Sequence, residues 1–179
     1  MRAPERVSTE RLVVRRPRRD DAEAVLKRYA GDEEVTHLLG WPRHVTLADT
    51  RTFLEFSESE WARWPAGPYL IESRGSGTLL GATGLSFETP YRAATGYVLA
   101  RDAWGKGYAT EALRAVVEVA RGASVVRLYA LCHPDNAASV RVLEKCGFAL
   151  EGTLLRHSVF PNLSGDGPED VLSYALVLR

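Results

Sequence analysis

Trp104-Gly105-Lys106-Gly107-Tyr108-Ala109-Thr110 leads directly into Ala112, Leu113, Val116, Val117 and Ala120, and this junction decides the fold. Counted from Ala109, the apolar positions fall at i, i+3, i+4, i+7, i+8 and i+11, one face of an α-helix. Gly105 and Gly107 let the chain tighten ahead of that helix and turn backbone N–H groups outward. A first helical turn leaves about four N–H groups unpaired and carries roughly half a positive charge, so a diphosphate is its natural guest. A plain strand-to-helix turn explains the glycine spacing equally well. Two named phosphate motifs do not fit. No GxxxxGK followed by Ser or Thr occurs. A dinucleotide fingerprint wants a third glycine where Thr110 stands, and an acidic residue at a strand end that reads Leu131-Cys132-His133.

Working outward, Ala94 to Ala100 reads as the strand before the turn, with Gly96 expected as a bulge. Tyr69–Ser73 and Thr78–Ala82 flank Gly75-Ser76-Gly77 as a hairpin. Further back, Arg11–Arg15 is a strand, and Ala22, Val25, Leu26 and Tyr29 space a helix that Gly31 ends. Thr46 and Asp49 form a capping-box pair opening a helix with Leu47, Leu54, Trp61 and Trp64, stopped by Pro65-Ala66-Gly67-Pro68. After the junction, Val125–Leu131 reads as a strand covered on both faces. A helix from about Asn136 to Cys146 closes at Gly147, and strands follow near Glu151–Ser158 and Val171–Leu178. A meander followed by strand, helix, strand, helix predicts one α/β domain over residues 1–179, a mixed sheet with helices on its faces.

Composition excludes several function classes. Lys plus Arg is 23 and Asp plus Glu is 23, so a strongly basic nucleic-acid binder is not expected. No apolar run reaches the roughly 18 residues of a membrane span, and Met1-Arg2-Ala3-Pro4-Glu5-Arg6 leads into no signal-peptide core. Cys132 and Cys146 have no ligand spacing, so neither a zinc site nor a disulfide framework is expected, and a reducing cytoplasm suits them. His37 and His44 likewise show no metal spacing.

Arg101-Asp102-Ala103-Trp104-Gly105-Lys106-Gly107-Tyr108-Ala109-Thr110-Glu111-Ala112 resembles the acyl-CoA motif of the GCN-related N-acetyltransferases (GNAT superfamily), Q/R-x-x-G-x-G/A. Trp104 stands in place of the usual Gln or Arg, as is common in the branch resembling RimJ and RimL ribosomal-protein N-terminal acetyltransferases. Asn136-Ala137-Ala138-Ser139, running into Glu144-Lys145-Cys146-Gly147-Phe148, is similar to that branch's N-x-x-S…EK-x-GF string. The resemblance covers nearly the whole chain. It implies a mostly antiparallel sheet with two splayed central strands, Ala94–Ala100 and Val125–Leu131, that admit acetyl-CoA. Backbone groups of Val98 and Leu99 would hold the pantetheine arm. N–H groups from Trp104 through Gly105, Lys106, Gly107, Tyr108 and Ala109 to Thr110 would hold the pyrophosphate. Asn136 would meet a pantetheine amide, and Ser139 would lie near the thiolate as its acid. Read from their own segment alone, Asn136 is a helix N-cap and Ser139 bonds its own backbone. The family resemblance allows a homodimer, and no residue decides it.

The implied reaction is direct acetyl transfer to a primary amine, on a protein N-terminus or a small molecule. Positioning both reactants is worth about 7–11 kcal/mol. The Val98 or Leu99 N–H is the donor expected at the developing oxyanion. The general base is where the chain departs from the family. Ala94 precedes Thr95-Gly96-Tyr97 where relatives carry E-x-G-Y, and Ser158, beside His157, takes the place of a later glutamate. Glu88 and His157 are the substitute bases, each with an alternative as an ordinary surface residue. The acceptor pocket is expected from Val35–Pro42, the first long helix and the last strands, with Trp41, Trp61, Trp64 and Tyr91 as lining or core. Asp166, Glu169 and Asp170 form an acidic stretch suited to a cationic acceptor or to solvent. A non-catalytic acyl-CoA-binding domain on the same fold is the competing reading.

Overall fold

The computed structural model describes residues 2–165 and 167–178, and Asp166 of the acidic stretch lies outside them. Its eight strands form one sheet in the order β1-β2-β3-β4-β5-β6-β8-β7. They are β1 (Arg6–Ser8), β2 (Leu12–Arg15), β3 (Pro68–Ser73), β4 (Leu79–Thr89), β5 (Arg92–Leu99), β6 (Arg127–Cys132), β7 (Ala149–Ser158) and β8 (Glu169–Val177). The helices are α1 (Ala22–Val25), α2 (Glu33–Thr36), α3 (Leu47–Arg63), α4 (Tyr108–Gly122) and α5 (Ala137–Lys145). Every neighbouring pair is antiparallel except β5 and β6, which the α4 crossover makes parallel. The mixed sheet read from the sequence is the one observed; β1 went unread, being only three residues long.

The sheet separates two cores. On one side α4 buries Ala112, Leu113, Val116, Val117 and Ala120 against Ile71, Leu85, Leu99 and Leu128, and the end of α3 adds Trp61. On the other, Val25, Tyr29 and Val35 pack on Leu70, Leu79 and Ala82. Leu70 and Ile71 thus serve opposite cores, as strand alternation requires. The expected capping box of α3 has its Asp49 carboxylate accepting from the backbone N–H groups of Val45 at 2.9 Å and Thr46 at 2.8 Å.

Three local readings change. First, the helix from Ala22 does not stay α-helical. Leu26–Ala30 is a π-helical turn closed by the Gly31 N–H on the Leu26 carbonyl at 3.0 Å. Apolar spacing cannot separate a π turn from an α turn over so few residues. Second, β6 is buried on one face only. Leu128, Ala130 and Cys132 face α4 and α5, whereas Leu131 is 38% exposed, because α1 and α2 stop short of this part of the sheet. Third, Gly96 is not a bulge. It pairs with Gly84 in an unbroken register from Gly81↔Leu99 to Phe87↔Ala93, and a Cβ there would meet nothing within 4 Å. The irregularity in this ladder lies instead between Phe87 and Thr89.

Candidate acyl-transfer site

What frees backbone groups is the divergence of two strands. β5 and β6 pair only at Arg92↔Arg127, Ala93↔Leu128 and Ala94↔Tyr129, so Thr95–Leu99 and Ala130–Cys132 separate as the two arms of a V. The Ala100 N–H donates to the Leu80 carbonyl at 2.8 Å. Antiparallel alternation along the register carries that pairing to Val98 with Ala82 and Gly96 with Gly84. Val98 therefore spends its backbone groups on β4, and Tyr97 and Leu99 turn theirs toward β6. The Leu99 carbonyl already accepts from the Trp104 indole N–H at 2.8 Å, leaving the Leu99 N–H and both Tyr97 groups on the open side.

The arms open beside the glycine turn. The Trp104 N–H donates to the Arg101 carbonyl at 3.1 Å, and the Glu111 N–H to the Gly107 carbonyl at 3.1 Å. The groups between, on Gly105, Lys106, Gly107, Tyr108, Ala109 and Thr110, are those the turn offers a ligand. Gly107 is the N-cap at φ 78°, and no side chain caps the helix. A left-handed residue at this point aims successive N–H groups into one concavity. The turn is braced from β2's approach. Arg11 Nη1 donates to the Lys106 carbonyl at 2.9 Å, and Arg11 Nε pairs with Glu111 at 2.7 Å. The Glu111 carboxylate also accepts from the Thr9 hydroxyl at 2.6 Å and the Arg11 N–H at 2.9 Å. Partial desolvation works to raise the Glu111 pKa, and these bonds outweigh it and hold the carboxyl below its ordinary value.

Asn136 caps α5, its Oδ1 accepting from the Ser139 N–H at 3.1 Å. Ser139 Oγ donates to the Tyr97 hydroxyl oxygen at 2.9 Å, and that hydroxyl donates to the Ser139 carbonyl at 2.8 Å. Burial pushes the Tyr97 phenol well above the usual tyrosine range, so it stays protonated. Tyr97 was not singled out in the sequence, although it shares the Leu99 side of β5.

Val98, Tyr97, Asn136 and Ser139 line a cavity of about 1110 Å³. Its far wall is apolar: Leu38, Trp41, Phe53, Phe56, Phe160 and Val171. Of the expected aromatic residues, Trp41 is in this wall. Trp61 is core, Trp64 stacks on Phe87 at 5.4 Å, and Tyr91 is exposed. Neither substitute base is in the lining. Glu88 accepts from the Tyr129 hydroxyl and pairs with Arg92 at 2.6 Å, because the register shift turns it away from the V. His157 is exposed with Nδ1 on the Ser158 hydroxyl at 2.9 Å. Ser158 itself does line the cavity. Asp170 accepts from the Arg156 N–H at 2.8 Å and is not in the lining either.

The family model described as Acetyltransferase (GNAT) domain matches residues 11–149. YoaA of Bacillus subtilis (strain 168), described as an uncharacterized N-acetyltransferase, is 30% identical over 96% of this chain and 96% of its own. A GNAT-family acetyltransferase from Bacillus anthracis superposes with a TM-score of 0.82 at 26% identity, covering 96% of this chain and 98% of that one. RimL, a ribosomal L7/L12 alpha-N-protein acetyltransferase solved with coenzyme A, gives a TM-score of 0.85 at 25% identity over 97% and 98%.

Proposed function

The chain belongs to the GNAT acetyltransferase family, and from that premise we propose that it moves an acetyl group from acetyl-CoA directly to a primary amine, on a protein N-terminus or a small molecule. The observation that carries this reading is the juxtaposition of the open V, whose inner residues line the cavity, with the uncapped N-terminus of α4. A pantetheine arm needs strand-like hydrogen-bonding edges, a pyrophosphate needs converging N–H groups, and the chain supplies both in sequence order. The RimL neighbour with bound coenzyme A makes the same co-substrate the first to test. We place the chain with RimJ/RimL-like enzymes, and in the cytoplasm, on the same likeness. No helix among the described residues is long and apolar enough to cross a membrane.

Each group has a role in this reading. Leu99 and Tyr97 hold the arm as an added strand would, and the N–H groups from Gly105 to Thr110 hold the diphosphate. The Tyr97 N–H donates where negative charge develops on the thioester oxygen. Ser139 is the acid for the departing sulfur in this reading: its hydroxyl turns from the Tyr97 oxygen to the thiolate, and solvent returns its proton. Asn136 fixes the start of α5 and keeps its amide N–H₂ for the arm. No free carboxylate among the described residues lines the cavity as a base. An α-amine, with a pKa near 7.7–8.0, loses its proton to water readily; a lysine near 10.4 does not. We therefore propose an α-amine or a similarly weakly basic amine as acceptor.

Two assays test the reading. Calorimetry should give saturable acetyl-CoA binding that Gly107→Trp abolishes while the variant stays folded; no binding by the folded wild type would refute it. Thiol release in the presence of an amine separates the enzyme from a non-catalytic acyl-CoA-binding domain, a reading favoured by the lack of a free base. Turnover with any amine removes that second reading.

A further inference from the structure

Among the described residues, the acidic and basic side chains lining the cavity are Arg43, His44 and Asp49, and each is already engaged. Arg43 donates to the Gly31 carbonyl at 3.3 Å and pairs with Glu33 at 3.2 Å. Asp49 is the acidic half of the α3 cap, its charge set against two backbone N–H groups and the positive end of the helix. His44 rests Nδ1 on the Thr50 hydroxyl at 3.0 Å, and burial lowers its pKa, so its ring is neutral at pH 7. The rest of the lining is mostly apolar and aromatic, with neutral polar side chains such as Thr52, Thr83 and Ser158 and no further charge. Trp41, His44 and Phe53 form a continuous aromatic run, with centroids 5.3 Å and 6.3 Å apart.

One buried residue of the lining keeps an unpaired polar atom. Tyr29 is 2% exposed, lines the cavity, and its hydroxyl makes no hydrogen bond among the described residues. Trp41 and Phe53 pack against the cluster that holds Tyr29, and all three residues line the cavity. Tyr29 sits in the π-helical turn Leu26–Ala30, a feature that recurs at functional sites. A buried hydroxyl without a partner is costly unless something completes it.

We propose that the acceptor is a primary amine carried on an uncharged aromatic or apolar body, seated against Trp41, Phe53 and Phe160, with a neutral polar atom completing the Tyr29 hydroxyl. This rests on the acetyltransferase reading and narrows it. A polyamine finds no spare carboxylate for its second ammonium, and it would desolvate that charge against aromatic walls. The wall discriminates by burial and the Tyr29 hydroxyl by one neutral hydrogen bond.

The test compares phenylalaninamide, 2-phenylethylamine and spermidine, both as acceptors in steady-state transfer and as ligands of the CoA-saturated protein by calorimetry. The expected order is phenylalaninamide over 2-phenylethylamine over spermidine, with at least about tenfold between the aromatic amines and spermidine. Tyr29→Phe should weaken phenylalaninamide about 5–10-fold, the worth of one neutral hydrogen bond, and leave 2-phenylethylamine unchanged, while the part of the phenylalaninamide advantage that comes from its less basic amine stays. Asp49→Asn, which preserves a cap, should leave the order intact. Equal or tighter binding of spermidine overturns the proposal, as does equal loss of both aromatic amines in Tyr29→Phe, or no saturable binding of any of the three. Aromatic binding without transfer would leave this inference standing and defeat the catalytic reading instead.

Discussion

At the scale of single residues, the pair of Ser139 and Tyr97 concentrates the proposed chemistry. Ser139→Ala should lower kcat by about 100-fold, the lower end of what a positioned acid contributes, with little change in the KM for acetyl-CoA. Tyr97→Phe keeps the ring and should cost less, because it only frees the serine hydroxyl to wander. A pH profile gives the matching test. The reactive amine must be neutral, so kcat/KM should climb with pH up to the acceptor's own pKa, about 7.7–8.0 for an α-amine. A pH profile that changes shape in His157→Ala would return that exposed histidine to the mechanism. Gly107→Ala would force a side chain into the left-handed region at φ 78° and bring Cβ within 3.4 Å of Arg11. About 1–2 kcal/mol of destabilisation and weaker acetyl-CoA binding are expected, read by thermal unfolding and calorimetry.

At the scale of elements, the turn before α4 is held by a residue one hundred positions away. Removing the Arg11 side chain should raise the acetyl-CoA KM and leave kcat for bound substrate nearly unchanged. The pH dependence of this brace has a definite sign. The Glu111 carboxyl is held below its ordinary value, so its contribution is complete above about pH 4.5 and is lost as pH falls through the lowered folded-state value. Glu111→Gln should flatten that part of an acid-unfolding curve. Elements of this kind also mark what could be read from the sequence. The α4 face and the turn ahead of it are local patterns and were legible. So were Asn136 as N-cap and Ser139 on the inner face of α5, which rest on i, i+3 spacing. The brace was not, because nothing local links Thr9 and Arg11 to Glu111. Glu88 seemed a fair base because a strand sequence does not announce its register shift. Val98 was named in place of Tyr97 because the choice depends on which neighbour each residue pairs with.

At the scale of the whole molecule, two half-sheets meet at three residue pairs of β5 and β6 and are otherwise joined through α4 and the cores. Trp61, buried with its indole N–H on the Pro68 carbonyl at 2.8 Å, anchors α3 to the first half. Trp61→Ala should cost about 3–5 kcal/mol of stability without altering acetyl-CoA affinity in the fraction that folds. The meander, the crossover and the parallel pair were all visible in the alternation of strand and helix patterns. The cavity was legible in part: Val35–Pro42, the first long helix and the last strands all supply lining, as expected, whereas Tyr29 was missed because it joins Phe53 and Phe160 only once the sheet is assembled.

If the proposed function holds, the V between β5 and β6 would also set an order of arrival. A pantetheine arm seated there supplies the missing rungs and becomes part of the floor on which the amine must rest. An amine coming first would meet an unfinished surface with no carbonyl to attack. Kinetics should therefore be sequential, with acetyl-CoA leading and coenzyme A leaving last. Coenzyme A would then compete with acetyl-CoA and not with the amine. On the proposed function, the gap in the ladder would work as a timetable: one reactant would have to complete the molecule's own architecture before the other could be received.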